Sequence, residues 1–413
     1  MLLYFRQVPN LKRFLKLGAA SGHEVRLMIL NIYNFMSDNY SETVKDWSLC
    51  IISYSLNGGG AERVAVNLSN YYAAQDYKVT LLVFRGTGPY LDQVSEKVNF
   101  IDLDVRKGRY AIVRLFKVLK KIKPSVILSV VRNSNIYVGL ASLFLSKSTK
   151  VIFREASTLN EVEEMHGLKS MIYKCVMRCS YFFAKAVIAN SEGTKQSLIG
   201  HGIVRSDKVF VIGNPVLPEN LGELRKAYVD DDWLLDDKYK IILAVGRLHP
   251  LKNQSMLIKA FSEISLLCSE CRVIILGDGD EKQNLILLSK KLGVEKVVRI
   301  MPFQSNPYPY YDKAKVFVLT SYWEGFGNVL VEAMACGVPV ISTNCPGGPK
   351  SILMDGAYGE LVDVDDYKSL AKKIMTCIVE KDNDNMIEKA KKEANKYSVK
   401  TVAGLYEQVM RCE

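Results

Sequence analysis

Histidine is scarce in this chain, with four among 413 residues, and they are spread too widely to complete a metal site. The nine cysteines lack a framework spacing: Cys268 and Cys271 form the single C-x-x-C, and Cys175 and Cys179 lie one helical turn apart. Neither pair has histidines placed to finish a zinc site, so reduced, core-packed cysteines and no metal are expected. Long apolar runs are missing as well. Hydrophobic residues make up 48% of the chain, yet no stretch approaches the roughly 18 to 20 apolar residues of a membrane-spanning helix. Residues 1–10 are too short and interrupted for a secretory leader, which predicts a cytoplasmic protein. No nucleic-acid module accompanies the net charge of +11, so no nucleic acid partner is expected.

That charge is concentrated. Residues 105–124 carry eight basic side chains and no acidic one. Ile112, Leu115, Phe116, Leu119 and Ile122 share one face at helical spacing, while Arg114, Lys117, Lys120, Lys121 and Lys123 point elsewhere, which predicts a basic amphipathic helix. Such a helix suits an anionic membrane surface, each cation near the lipid contributing about 1 kcal/mol. The alternative is an ordinary surface helix with a solvated basic face.

A length of 413 residues is too great for one ordinary core and implies two domains. Apolar β-branched runs at 50–53, 79–84, 126–130, 151–153 and 186–189 alternate with helical spacing, and runs at 241–245, 273–276, 316–319 and 338–341 repeat the alternation. The pattern predicts an α/β protein of two doubly wound, Rossmann-like domains with parallel sheets, whose ligand loops follow the strands and face a shared cleft. The expected divisions are an N-terminal extension at 1–46, a first domain at 47–215, a second at 216–385, and a C-terminal helix at 386–413 that packs back toward the first. The acidic run Asp230-Asp-Asp-Trp-Leu-Leu-Asp-Asp237 reads as the linker and first edge of the second domain.

The densest chemistry lies between Ser321 and Ser342, where Glu324 and Glu332 stand eight residues apart around a glycine-rich turn. Gly325 and Gly327 permit a sharp bend after an apolar strand, and residues 328–336 have helical spacing before Gly337 and Pro339 stop it. Amides at a helix start suit an anion, and a carboxylate at each edge can accept hydrogen bonds from sugar hydroxyls. Alternatively Glu332 only complements the helix dipole. Two further strand-end loops belong with this one. Asn57-Gly-Gly-Gly-Ala-Glu-Arg63 allows close backbone approach to a phosphate or sugar, and Gly246-Arg-Leu-His-Pro-Leu-Lys252 places Arg247 and Lys252 where they can neutralise a diphosphate.

Together these loops resemble the family-four retaining glycosyltransferases of the GT-B fold, over residues from about 47 to 406. The family's E-x7-E signature matches Glu324 through Glu332, its G-R-x-x-x-x-K loop Gly246 through Lys252, and its G-x-G Gly277-Asp-Gly279. The glycine loop and Ser342-Thr-Asn-Cys-Pro-Gly-Gly-Pro-Lys350 look like the subgroup that builds bacterial surface polysaccharides, many of whose members use a UDP-sugar donor and a lipid-linked glycan acceptor. The resemblance implies that Arg247 and Lys252 bind the donor diphosphate, with Gly59 and Gly60 approaching it from the first domain. It implies that Glu332 holds the ribose, that Glu324 contacts the donor sugar, and that Phe326, Gly327 and Asn328 position sugar and phosphate through their backbone. The base would sit near Met301-Pro-Phe303. No cofactor beyond the nucleotide-sugar substrate is implied, and no D-x-D stands in the setting a metal-dependent transferase uses. Where relatives carry a first-domain histidine near the donor sugar, this chain has Arg154 and Glu155, and Lys350-Ser351 replaces a frequent glutamate. A sugar-nucleotide-binding scaffold and an epimerase of the same fold are the alternatives.

Overall fold

The computed structural model describes residues 47–57, 59–105, 110–146, 148–159, 167–379 and 384–412. The extension at 1–46, Gly58 of the glycine loop and residues 106–109 of the basic segment lie outside the described residues.

Seven parallel strands form the first sheet: β1 (Ser48–Ser53), β2 (Lys78–Val83), β3 (Asn99–Asp102), β4 (Val126–Ser129), β5 (Lys150–Glu155), β6 (Ala186–Ala189) and β7 (Val209–Val211), in the order β3-β2-β1-β4-β5-β6-β7. Six more form the second: β8 (Lys240–Val245), β9 (Cys271–Leu276), β10 (Val298–Met301), β11 (Ala314–Leu319), β12 (Val340–Thr343) and β13 (Glu360–Val362), in the order β10-β9-β8-β11-β12-β13. The interior strands are valine- and isoleucine-rich and buried along their length, because helices cover both faces of a parallel sheet. Strand order reverses between β1 and β4 and again between β8 and β11, which are the points where such sheets open a ligand crevice at their carboxyl ends.

Helix α1 (Gly60–Ala74) follows β1 and covers one face of the first sheet; α2 (Ala111–Ile122), α3 (Arg132–Ser142) and α4 (Leu168–Phe182) lie side by side on the other. In the second domain α5 (Asn328–Cys336) follows β11. The last helix, α6 (Val399–Arg411), returns to the first sheet. Val402, Ala403, Tyr406, Val409 and Met410 complete the core around α1, and Tyr72 donates to the Ala403 carbonyl at 2.7 Å. The chain therefore crosses between the domains twice. The crossings run together, with Val216 and Leu217 amides donating to the Tyr397 carbonyl.

Two sequence expectations change. The acidic run is part of the second domain, as its reading as that domain's first edge expected, but it is not a linker: Asp231 accepts from the Trp233 amide and caps a helical turn, and Arg299 pairs with Asp231 at 2.8 Å and covers the buried Trp233 ring. Cys268 and Cys271 are joined by a disulfide rather than reduced. The turn before β9 closes through a Cys271 amide to Cys268 carbonyl bond and brings the two Cα atoms to 5.4 Å, within bonding range. Cys50, Cys336 and Cys345 are free and buried.

Candidate active site

The site is assembled from the loops that leave β1, β8, β9 and β11. After β11, the Glu324 amide donates to the Pro346 carbonyl, and Gly347 runs so close to Glu324 that a β-carbon there would overlap its carbonyl. This fixes the backbone that carries the carboxylate. Lys252 Nζ and Ser321 Oγ both donate to Glu324 Oε1, each at 2.6 Å. Burial, reinforced by the Glu324 charge, pushes the neighbouring Cys345 thiol up to about 11, so it is neutral at physiological pH.

Lys252 ends the short turn Pro250–Lys252, which is stitched to the β11 loop by Tyr322 amide to Leu251 carbonyl and Thr320 hydroxyl to Lys252 carbonyl bonds, both 2.9 Å. Arg247, in the same loop, is exposed and makes no ion pair among the described residues. Gly277 and Gly279, which follow β9, press against this loop from below. Their φ angles of +152° and +153° and the overlap that a β-carbon would make with the Gly246 and Leu248 carbonyls require glycine. Asp278 between them accepts from the Phe303 amide at 2.8 Å and so orders the loop after β10, while the Met301 carbonyl accepts from Gly277 at 3.0 Å.

The first domain meets this surface through several residues. A β-carbon on Gly60 would lie 3.1 Å from Asn328 Nδ2, and Gly59, the residue before α1, sits against the Glu62 side chain. Gly325 abuts the Ala156 carbonyl beyond β5. Asn328 also accepts from Asn214 at 2.7 Å, and Asn214 accepts from Arg154 at 2.6 Å. Phe326 turns its buried ring onto Tyr397, so only its backbone faces the loop, and Gly327 enters α5 with φ of +103°.

Glu332 occupies the second turn of α5 and is only 1% exposed. One oxygen accepts from Arg63 of α1, and the other from Tyr311 at 2.9 Å; Arg63 also donates to Tyr308 at 3.1 Å. Desolvation works against the Arg63 charge, but Glu332, Tyr308 and Tyr90 outweigh it and raise its pKa. Tyr90 meets Phe303 edge-on, with ring centroids 6.0 Å apart.

Arg154 and Glu155 have a different setting from the open loops. Both are fully buried. Arg154 donates to the Val130 carbonyl and Asn214, and Glu155 accepts from Arg132 at 3.0 Å, from Asn135 at 3.1 Å and from Tyr181. These contacts make them supports for the segment at Ala156 that touches Gly325. Arg63, Tyr308 and Tyr311 went unassigned in the sequence. The Tyr-Pro-Tyr-Tyr run at 308–311 is a visible signal, whereas nothing local links Arg63 to a residue 269 positions away.

Comparison with known proteins matches residues 58–220 to the model described as Glycosyltransferase Family 4 and residues 228–393 to that described as Glycosyl transferases group 1. The N-acetylgalactosamine-N,N'-diacetylbacillosaminyl-diphospho-undecaprenol 4-alpha-N-acetylgalactosaminyltransferase of Campylobacter jejuni is 28% identical, with 85% of this chain and 94% of that protein covered. A second C. jejuni enzyme, GalNAc-alpha-(1->4)-GalNAc-alpha-(1->3)-diNAcBac-PP-undecaprenol alpha-1,4-N-acetyl-D-galactosaminyltransferase, is 30% identical, covering 79% of this chain and 87% of that protein. Among solved structures, Anabaena HepE in complex with UDP-glucose superposes with a TM-score of 0.74 at 21% identity, covering 88% of this chain and 98% of that one.

Proposed function

The chain belongs to the family-four glycosyltransferases with the GT-B fold, and from that premise we propose that it moves a hexose or N-acetylhexosamine from a UDP-sugar to a lipid-linked glycan in polysaccharide biosynthesis, with retention at the anomeric carbon. The observation that carries this reading is the pairing of Lys252 with Glu324, with Arg247 exposed on the same loop as Lys252 and Gly60 of the other domain approaching Asn328. Both C. jejuni relatives are named for N-acetylgalactosamine transfer to an undecaprenol diphosphate, which makes UDP-N-acetylgalactosamine the first donor to try.

In this proposal Arg247 and Lys252 take the diphosphate oxygens, and Glu324 accepts from hydroxyls of the donor sugar. The bond from the anomeric carbon to the diphosphate breaks, and the acceptor oxygen bonds to that carbon on the same face. The acceptor proton passes to the departing phosphate oxygen, and UDP leaves. The protein contributes position and fixed positive charge aimed at the growing negative charge, interactions stronger in the transition state than before it. Because those two cations supply the charge, the proposal is metal-independent.

The acceptor's lipid places the reaction at a membrane, and we assign the contact to α2, α3 and α4. None of the three helices contains an aspartate or glutamate. Lys117, Lys120 and Lys121 are exposed on α2, Lys169 and Arg178 carry charge on α4, and Val113, Phe144, Met171, Ile172 and Phe182 are exposed apolar residues among them. Cations beside exposed apolar side chains fit an anionic bilayer. Among the described residues no helix is long and apolar enough to cross it.

A transfer assay read by mass spectrometry tests the function: purified protein is offered UDP-, GDP- and ADP-sugars with a lipid-linked glycan extract. A glycolipid heavier by one hexose or N-acetylhexosamine, formed only with a UDP-sugar, is expected. Donor binding without either transfer or hydrolysis would overturn the catalytic reading.

A further inference from the structure

Glu332, the carboxylate that the family resemblance assigns to the donor ribose, is already engaged. Arg63 donates to one oxygen and Tyr311 to the other, and 1% exposure leaves no open approach. Tyr311 belongs to the same domain as Glu332, but Arg63 comes from the first turn of α1, directly after the glycine loop proposed to face the diphosphate. The Arg63 side chain is one-fifth exposed and is steadied by Tyr308. Tyr90 and Phe303 touch across the same junction.

Arg63 and Tyr311 take one site on each Glu332 oxygen and, with the carboxylate 1% exposed, they also cover it, so ribose hydroxyls can reach it only if one of these donors moves aside. Arg63 is the donor that can leave. Its side chain is long, comes from the other domain and is partly exposed, whereas Tyr311 is fully buried. A cation withdrawn from its carboxylate inside a partly desolvated cleft needs another anion, and a planar guanidinium matches phosphate oxygens. We infer that Arg63 is a donor-exchanged latch, which closes the cleft onto Glu332 in the free protein and passes to the donor diphosphate when the ribose takes its place. This inference rests on the donor-pocket reading and assigns a residue that the motif comparison left without a role.

The exchange makes a prediction with opposite signs for two ligands. In Arg63→Met, a nucleoside without phosphate should bind at least as tightly as to the wild type, because its competitor for Glu332 is gone. The matching nucleoside diphosphate should bind at least tenfold more weakly, because its cation is gone. Titration calorimetry, or ligand-observed NMR for the weaker nucleoside, would measure UDP, GDP and ADP and the corresponding nucleosides on full-length protein. Arg63→Lys keeps the charge and should recover part of the diphosphate affinity. If nucleoside and nucleotide weaken together in Arg63→Met, or neither changes, Arg63 has a structural role or none and the latch is refuted while the pocket survives. Wild-type protein that binds none of the three diphosphates would refute the pocket and the latch together.

Discussion

The two sheets are built on one plan yet carry different kinds of information. In the second domain several contacts at the site join neighbouring loops of the same sheet: Lys252 with Glu324, Gly279 against Leu248, Asp278 with Phe303. The first domain contributes by position. Gly60, Arg63, Tyr90 and Ala156 have meaning only against residues of the other half. In the proposed function one half would hold the donor through local motifs, and the other would close over it and offer a basic, apolar face elsewhere. Fixed loops suit electrostatic work and a separable body suits closure.

This division can be broken at defined places. Arg247→Ala removes an exposed cation from the second domain and should reduce turnover by roughly 100- to 1000-fold without loss of the folded state; steady-state kinetics with unchanged turnover would remove Arg247 from the mechanism. Gly325→Ala puts a methyl group onto the Ala156 carbonyl at the junction. Misplacing one domain against the other should cost about 100-fold in turnover while isolated nucleotide binding changes little, a contrast that kinetics and calorimetry on the same preparation would show. Replacing Lys117, Lys120 and Lys121 with glutamate acts on the first domain alone. About 3 kcal/mol of attraction to anionic vesicles should disappear, seen by co-sedimentation, with transfer to a detergent-dispersed acceptor preserved; full retention on vesicles would defeat the membrane assignment.

The smallest effect concerns Cys345. Its pKa rises from 9.0 to about 11, chiefly through burial and further through Glu324. Below pH 9 the thiol is neutral in both folded and unfolded chains and costs nothing. As pH climbs from 9 toward 11 the unfolded chain loses the proton first, so stability falls with rising pH, by about 1.4 kcal/mol at pH 10. Urea melts of Cys345→Ala should lose that part of the alkaline decline, and an unchanged slope would show that Cys345 does not titrate in this way.

The sequence reading located the interior strands of both sheets and passed over β3, β7, β10 and β13 as separate strands, which are the four edges. The reason is physical. An interior strand shows an uninterrupted run of buried apolar residues, whereas each of these edge strands has at most one buried residue. The site divides along similar lines. Arg247, Lys252, Glu324 and Glu332 announce themselves through short spacings, and the structure brings Lys252 onto Glu324. Arg154 and Glu155 look alike in sequence to any polar pair after a strand, but the fold buries them both and surrounds Glu155 with Arg132, Asn135 and Tyr181.

By itself, then, the order of residues determined what local physics can determine: buried strands from apolar runs, sharp turns from glycine, a carboxylate at each end of a helix start from an eight-residue interval. Only the tertiary structure decided which polar groups face each other across the cleft. The Arg63–Glu332 pair, the chain of Arg154, Asn214 and Asn328, and the return of α6 to the first sheet all join residues 60 to 331 positions apart. No periodicity records such a pairing, because it exists only after burial has fixed the backbone and left each charge to find its partner.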